Sequence, residues 1–367
     1  MAGIWRLITD DGVTASFGLA ADEWMAQHQT PERRPMLRLY TYRSHCALVG
    51  RFQHVDTEVD RAFCAAHGID VCRRPTGGGA ILMGEDQLGI ALTLPDPGEG
   101  GGVPSLRDRL GPFAQAVVEG LRTLGVVAAF AGKNDVEVRG RKIAGLGLYH
   151  APGGGVLFHC SLLVDLDIPL MLRVLRTPFE KLADKAVATV AERITTVRRE
   201  LGRWVSLDEV RAHVAEGFAR VFGVTLVPDR FTPEELEGIR RLEAEKYRNP
   251  QWIDLRQLTP DLTGSARVKT PGGLVEVHLT LVGEAIKVAY IHGDFFAAEG
   301  AVAELERLLR WHSAAPEAIA RTVGAYFERA GPVLAGVTAE HLATAVQRAV
   351  EAARAREGVP YGCFVNP

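Results

Sequence analysis

The 367-residue chain is poor in cysteine, in charge of one sign and in long apolar runs, and each shortage removes a class of protein. Its five cysteines (Cys46, Cys64, Cys72, Cys160 and Cys363) are scattered, odd in number and never spaced C-x-x-C. That excludes a dense disulfide framework and a thiol-rich zinc site, and it fits a reducing cytoplasm. Lysine and arginine total 42 against 45 aspartate and glutamate, a formal charge of −3 with no long basic run. Sequence-independent binding to nucleic acid is therefore not expected. No stretch approaches the ~20 uninterrupted apolar residues that span a bilayer, so no membrane association is expected. Asp10 and Asp11 interrupt the opening MAGIWRLITDDGVTASF before an apolar block can form, which argues against a signal peptide. Repeats and low-complexity tracts are lacking too.

What is present suits a folded protein: 47% of residues are hydrophobic and 24% charged, well outside the disordered regime. At roughly 100–200 residues per domain, the length predicts two domains or one large domain with an appendage. LRLYTYR (37–43), ALVGRF (47–52), GIDVCRRP (68–75) and QLGIALTLP (87–95) read as strands. DDGVTASFGLAADEWMAQH offers capping residues and then a helix, VDTEVDRAFCAAHG has helical spacing, and residues 105–125 form a long amphipathic helix with Leu106, Leu110, Phe113 and Val117 in register. VEV-RG-RKIAG reads as a hairpin about Arg139-Gly140, and LGLYH with VLFHCSLLV as a second hairpin about APGGG. The chain turns helical after Asp167 to about Val224. These elements predict an α+β fold, a large domain with a mixed or antiparallel sheet flanked by helices and a small C-terminal α+β unit. The expected divisions are 1–228, 229–335 and a last helix and tail over 336–367.

Several positions could carry chemistry. Gly77-Gly78-Gly79 follows Arg73-Arg74, and two readings fit: a plain tight turn, or a cradle whose backbone N–H groups approach an anion beside paired guanidiniums. Neither G-x-x-x-x-G-K-[ST] nor G-x-G-x-x-G with a following helix is present. Lys142 opens an apolar strand, either as a solvated edge residue or as a ligand group, with Gly145 three positions on permitting close approach. Asn134-Asp135 is a turn pair or a site for Mg²⁺ and a hydroxyl. His159 and Cys160 are neighbours in a strand, so they face opposite ways and cannot act on one another as nucleophile and base. Arg193, Arg198, Arg199 and Arg203 read most simply as a solvated face, with phosphate contact as the other reading.

Three motifs in this order and at these separations say more: RRPTGGGAI, GKNDVEVRGRKIAG and LFHCSLLVDLD. Together they resemble the lipoate–protein ligase A family, part of the wider group of biotin- and lipoyl-attaching ligases and octanoyltransferases. That family's motifs are close to RR-x-[ST]-GGGAV, ND-(x)-V-x-GRK-[IV]-[AS]-G and H-[HG]-[GC]-[ST]-LL. LAADEWM and YTYRSHCALVGRFQ extend the likeness over roughly residues 5–225, and KYRNPQW with GGLVEVHLTLVGEAIKVAYIHGDFF looks like the accessory domain these ligases carry.

The resemblance implies ATP-dependent activation of lipoate to lipoyl-AMP, then transfer to a lysine of an acceptor lipoyl domain. Such acceptors are 2-oxoacid dehydrogenase E2 subunits or the glycine cleavage H protein. Lys142 would hold the lipoate carboxylate and the α-phosphate. Arg73, Arg74, Thr76, Gly77, Gly78, Gly79 and Ala80 would wrap the activated acid, with Gly145, His159 and Ser161 beside it. Asn134 and Asp135 would serve the adenylate, Asp135 as the Mg²⁺ ligand. Two departures stand out: ILMGEDQLG, with Glu85 and Asp86, replaces V-[FY]-HD-x-GN, and Cys160 sits where glycine is common. A same-fold transferase would work through a cysteine thioester without ATP, but its relatives place that cysteine near the ND segment or after the long strand. AFAGKNDV and DLDIPLMLRVLRTP hold none. A non-catalytic acyl-binding module is a further reading, and a biotin ligase is disfavoured by the missing G-R-G-R-x-x-R-x-W loop.

Overall fold

Thr14 starts the first helix: its side chain accepts from the Phe17 N–H, so the chain leaves strand β1 (Gly3–Val13) and enters α1 (Ala15–Gln27). The computed structural model describes residues 3–95, 106–131, 134–152, 154–176, 192–255, 264–298 and 300–357. The expected loop DPGEGGGVPS, the helical continuation across 177–191 and the tail with Cys363 lie outside the described residues. After α1 come β2 (Met36–Tyr42), β3 (Cys46–Val49), α2 (Val55–Glu58), α3 (Arg61–Ala66), β4 (Asp70–Arg73), β5 (Ile81–Met83), β6 (Gln87–Pro95) and α4 (Leu106–Leu124). Then follow β7 (Ala129–Ala131), β8 (Asp135–Val138), β9 (Arg141–His150), β10 (Gly155–Leu163), α5 (Ile168–Val174), α6 (Val197–Leu201), α7 (Leu207–Phe222) and β11 (Val224–Asp229). The remainder is α8 (Pro233–Leu242), a π-helical turn (Glu243–Tyr247), α9 (Pro250–Ile253), β12 (Gly264–Thr270), β13 (Gly273–Val282), β14 (Ala285–Gly293), α10 (Ala301–Leu309), β15 (His312–Ser313), α11 (Pro316–Ala330) and α12 (Ala339–Glu357).

Contacts divide the chain into two units. The first comprises Met1–Arg51, Val55–Thr76 and Ala80–Leu255; the second comprises Phe52–His54, Gly77–Gly79 and Arg256–Pro367. In the first, an eight-stranded sheet runs β11-β1-β2-β6-β10-β9-β8-β7, parallel across β11-β1-β2 and antiparallel beyond. A three-stranded sheet, β4-β3-β5, lies apart from it. β2 and most of β6 are buried along their length, as strands covered on both faces must be. One face packs Ile90, Leu92, Leu146, Phe158, Cys160 and Leu162 against Phe113 and Val117 of α4 and Val214 and Phe218 of α7. On the other face Tyr40, Ala91 and Leu157 meet Leu19, Ala20 and Trp24 of α1. The fold is α+β, as the sequence predicts.

In the second unit, β12-β13-β14-β15 form an antiparallel sheet. Val275, Val277, Leu279 and Ile291 bury against Leu305, Val323 and Val346 of its helices. Phe52 stacks on Phe295 at 5.2 Å and 15°, and the Gly293 N–H donates to the Phe52 carbonyl at 3.0 Å. Among the described residues, no helix is long and apolar enough to cross a membrane.

Candidate functional site

The site-bearing face of the large sheet begins at the β8–β9 hairpin. Arg139 and Gly140 have φ of 51° and 75°, the two left-handed positions of a type I′ turn that joins strands through two residues. A bulge between Val136 and Glu137 shifts the register of β8 against β9. Beyond it Asp135 lies opposite Gly145, Gly145 opposite Ser161, and Ser161 opposite Gly89 of β6. One row further, Gly147 faces His159, and His159 faces Ala91. Small residues thus flank His159 and Ser161 on both neighbouring strands.

Those gaps are filled from the side. A Cβ at Gly145 would sit 3.0 Å from the Lys142 Nζ, and one at Gly147 would sit 2.2 Å from the His159 Nε2. Lys142 therefore lies down over Gly145 and His159 over Gly147. The Lys142 ammonium pairs with Asp135 Oδ1 at 2.7 Å, both side chains about one-third exposed. Asn134 is tied to β9: its side-chain amide donates to the Leu146 carbonyl at 2.8 Å, and its own carbonyl accepts from the Leu146 N–H at 2.8 Å. The Ser161 hydroxyl lies 3.5 Å from the Gly145 carbonyl. In this way the structure brings Lys142, Asp135, Gly145 and Ser161 together.

His159 is joined to the RRPT segment. Its Nε2 lies 2.9 Å from the Thr76 hydroxyl. Burial, with the nearby Arg74 charge, pushes the imidazole down to about 3, so it is neutral at physiological pH and serves as a fixed hydrogen-bonding group. The two arginines differ in role. Arg73 is fully buried and donates to the carbonyls of Gly50, Arg51, Trp252 and Ile253, and the Trp252 indole N–H donates back to the Arg73 carbonyl at 2.8 Å. Arg73 holds the chain in place. Arg74 donates to the Leu48 carbonyl at 2.8 Å, and burial, opposed by Tyr42, pulls it down to about 10, a cation already stripped of much water. Ala80 is half-buried just beyond the glycine loop.

The loop itself, Gly77–Gly79, clusters with the second unit. A Cβ at Gly77 would sit 2.2 Å from the Phe295 carbonyl oxygen, and Gly78 has φ of 91°. Both positions require glycine. Asp86, in the segment that departs from the family motif, pairs with Arg198 at 3.0 Å, and Arg198 also reaches Asp165 at 3.1 Å. Arg198 is thus an ion-paired, largely buried residue within the basic set.

Cys160 points the other way. It is 4% exposed in the apolar core beneath the sheet. Burial, with Asp135 adding to it and Lys142 opposing it, pushes the thiol up to about 12, so the attacking thiolate is scarce. Among the described residues, no three His, Cys, Asp or Glu side chains converge to hold a metal ion.

Sequence reasoning missed a second polar layer on the same face, further across the sheet. Arg38, with no exposure, donates to Asp22 at 2.8 Å and to Asp10 at 2.9 Å, and the Tyr40 hydroxyl donates to Asp22 at 2.9 Å. Burial raises the Asp22 carboxyl against the pull of Arg38. Glu23, also buried, accepts from Lys246 at 2.6 and 2.7 Å, from Tyr247 at 2.5 Å and from Tyr149 at 3.0 Å. The signal was available: two adjacent acids inside the apolar helix LAADEWM.

Comparison with known proteins identifies the family. The family described as lipoyl protein ligase A/B catalytic domain matches residues 14–219. Lipoate-protein ligase LplJ of Bacillus subtilis is 28% identical over 326 residues, 88% of this chain and 91% of that protein. Octanoyltransferase LipM of Kyrpidia tusciae is 32% identical over 272 residues, 68% of this chain and 97% of that protein. A bipartite lipoate protein ligase of Thermoplasma acidophilum, described with its E2 lipoyl domain, superposes with a TM-score of 0.63 at 27% identity, covering 71% of this chain and 100% of that one. A lipoate-protein ligase A bound with ATP superposes with a TM-score of 0.60 at 26% identity, covering 70% and 100%. With RRPTGGGAI, NDVEVRGRKIAG and HCSLLV on one catalytic-domain fold, the chain belongs to the lipoate–protein ligase A/B family.

Proposed function

We propose that this protein is an ATP-dependent lipoate–protein ligase of the cytoplasm, forming lipoyl-AMP and transferring the lipoyl group to a lysine of an acceptor lipoyl domain. The observation that carries the reading is the Lys142 ammonium, held 2.7 Å from Asp135 and lying over Gly145. In the first half-reaction the lipoate carboxylate attacks the α-phosphorus of ATP and pyrophosphate leaves. Two anions must meet, and a fixed cation offsets their repulsion as charge develops. In the second, the acceptor amine attacks the mixed anhydride and AMP leaves, with Lys142 stabilising the oxyanion. Thr76, Ala80, His159 and Ser161 position the acid, Arg74 supplies a desolvated positive charge, and Asn134 faces the adenylate. Arg73 acts on the acid through the main chain it holds. A single carboxylate, Asp135, suits Mg²⁺ that arrives on the nucleotide, since that ion commonly takes one or two carboxylates together with substrate phosphates. The ATP-bound and E2-associated relatives support nucleotide and acceptor. E2 subunits of 2-oxoacid dehydrogenases and glycine cleavage H protein are the acceptor class.

The LipM relatives favour a second reading, octanoyl transfer through a cysteine thioester without ATP. Two observations weigh against it. Cys160 faces the core with its thiol raised to about 12, and the LplJ match extends over 88% of the chain where the LipM match stops at 68%. Incubation with ATP, Mg²⁺ and lipoate decides: the ligase releases pyrophosphate and forms lipoyl-AMP. A chain that makes neither, yet moves octanoyl from a carrier protein through a covalent adduct on Cys160, is the transferase.

A further inference from the structure

The Lys142 side chain pairs with Asp135, but its main chain is held by a separate device. Its carbonyl accepts from the Thr195 N–H at 2.8 Å, and Lys142 bridges in parallel to Ile194. The Thr195 hydroxyl in turn donates to Glu200 Oε1 at 2.5 Å. Glu200 also accepts from both arginines that bracket the hairpin turn, Arg141 at 2.6 Å and Arg139. Three donors from two segments thus converge on one carboxylate that is 3% exposed. Burial alone would raise that carboxyl, yet the bonds from Thr195, Arg139 and Arg141 hold it below its ordinary value, so it stays charged while they persist. The carboxylate sits on α6, whose first turn is fixed by the Thr196 side chain accepting from the Arg199 N–H.

We propose that Glu200 is a positioning residue for Lys142: it ties the β8–β9 hairpin to Thr195 and so sets where the Lys142 ammonium stands. Arg139 and Arg141 flank Gly140 and run directly into Lys142, so a hairpin freed at its turn is also freed at the catalytic lysine. Arg139, Gly140, Arg141 and Lys142 thereby form one mechanical unit whose anchor lies about sixty positions on. A displacement of about 1 Å at a reacting group costs up to ~10²-fold in rate.

The proposal rests on Lys142 being the reaction's cation, and the test separates the two ideas. Full-length Glu200→Ala, Glu200→Gln, Thr195→Val and Lys142→Ala are compared in lipoylation of an acceptor domain, and Lys142 is mapped by competitive acylation with acetic anhydride followed by peptide mass spectrometry. Glu200→Ala should lower kcat by on the order of 10–100-fold with KM for lipoate and ATP changed less than about threefold. Glu200→Gln, which still accepts from Thr195 and one arginine, should recover part of the loss, and Thr195→Val should fall between. The acylation rate of Lys142 should change more than threefold in Glu200→Ala while other lysines stay as they were. Unchanged Lys142 acylation in a folded Glu200→Ala protein, or a kcat within twofold of wild type, overturns the proposal. Activity that survives Lys142→Ala removes the reading of Lys142 instead, and the acylation measurement then still decides whether Glu200 fixes it.

Discussion

The two faces of β10 differ in how their neighbours are filled. Phe158, Cys160 and Leu162 project into a close-packed apolar layer of Ile90, Leu146, Phe113 and Phe218. Opposite them, His159 and Ser161 stand among Gly145, Gly147, Gly89 and Ala91. On the first face bulk meets bulk. On the second, each glycine is the berth of a side chain from elsewhere: Lys142 over Gly145, His159 over Gly147 and Tyr40 over Gly89. A sheet face that places its small residues this way immobilises polar groups, and the proposed chemistry is assigned to it. The core face supplies stiffness.

The largest break should come from Lys142→Ala. Loss of one preorganised charge costs on the order of 10²–10³ in rate, measured by gel shift of the acceptor, with the circular dichroism of the wild type retained. More than about a tenth of wild-type turnover would move the reaction off this face.

Next in size is Gly147→Ala, whose new methyl would sit 2.2 Å from the His159 Nε2. Overpacking of this kind costs about 1–3 kcal/mol, and displacing His159 breaks its bond to Thr76. We expect a lowered Tm and at least a tenfold rise in the lipoate requirement. A variant equal to wild type in both would show that His159 has another place to lie.

The faces also differ in pH response. His159 titrates near 3 rather than near 6.5, so the unfolded chain binds the extra proton between those values. Stability from keeping this ring neutral is complete above about pH 6.5 and is lost as pH falls toward 3. His159→Gln should flatten the slope of unfolding free energy against pH in that window. An unchanged slope would mean that the ring is solvated.

The smallest effect is expected on the core face. Cys160→Ala should cost less than about tenfold in rate, against the ~10⁴ or more that loss of a nucleophile brings. Native Cys160 should resist iodoacetamide at pH 8, where a thiol raised to about 12 is thiolate in only ~10⁻⁴ of molecules. Rapid native alkylation that stops turnover would invert the comparison.

Much of this was legible in the chain. VLFHCSLLV alternates, so the opposite facing of His159 and Cys160 follows from the period of a strand, and the structure bears it out. Arg-Gly between VEV and RKIAG reads as a two-residue turn, and both residues have positive φ. QLGIALTLP forms β6 over the expected residues, and the helix expected at 105–125 is α4. Residues 3–13 were harder, since GIWRLITDDGV lacks clean alternation and its Asp-Asp-Gly looks like a turn, yet they form an eleven-residue strand. The partners of Arg73 were invisible for a different reason: they are main-chain carbonyls, about 180 positions away at Trp252 and Ile253, and carbonyls carry no residue signature. Glu200 was hidden likewise, because only the fold brings it to the hairpin.

The parallel pairing of β11 with β1 bears on how the protein is made. Gly3 lies beside Val224 and Ile8 beside Asp229, so the sheet edge closes between segments more than two hundred positions apart. Such a pairing adds a large loop-closure cost before any contact rewards it and slows folding. During synthesis at about 5–20 residues per second, β1 has only its β2 neighbour for roughly ten seconds or more before residue 229 emerges. The β8–β9 hairpin that carries Lys142 pairs locally and has no such wait, so it forms while the far edge of its own sheet is still open.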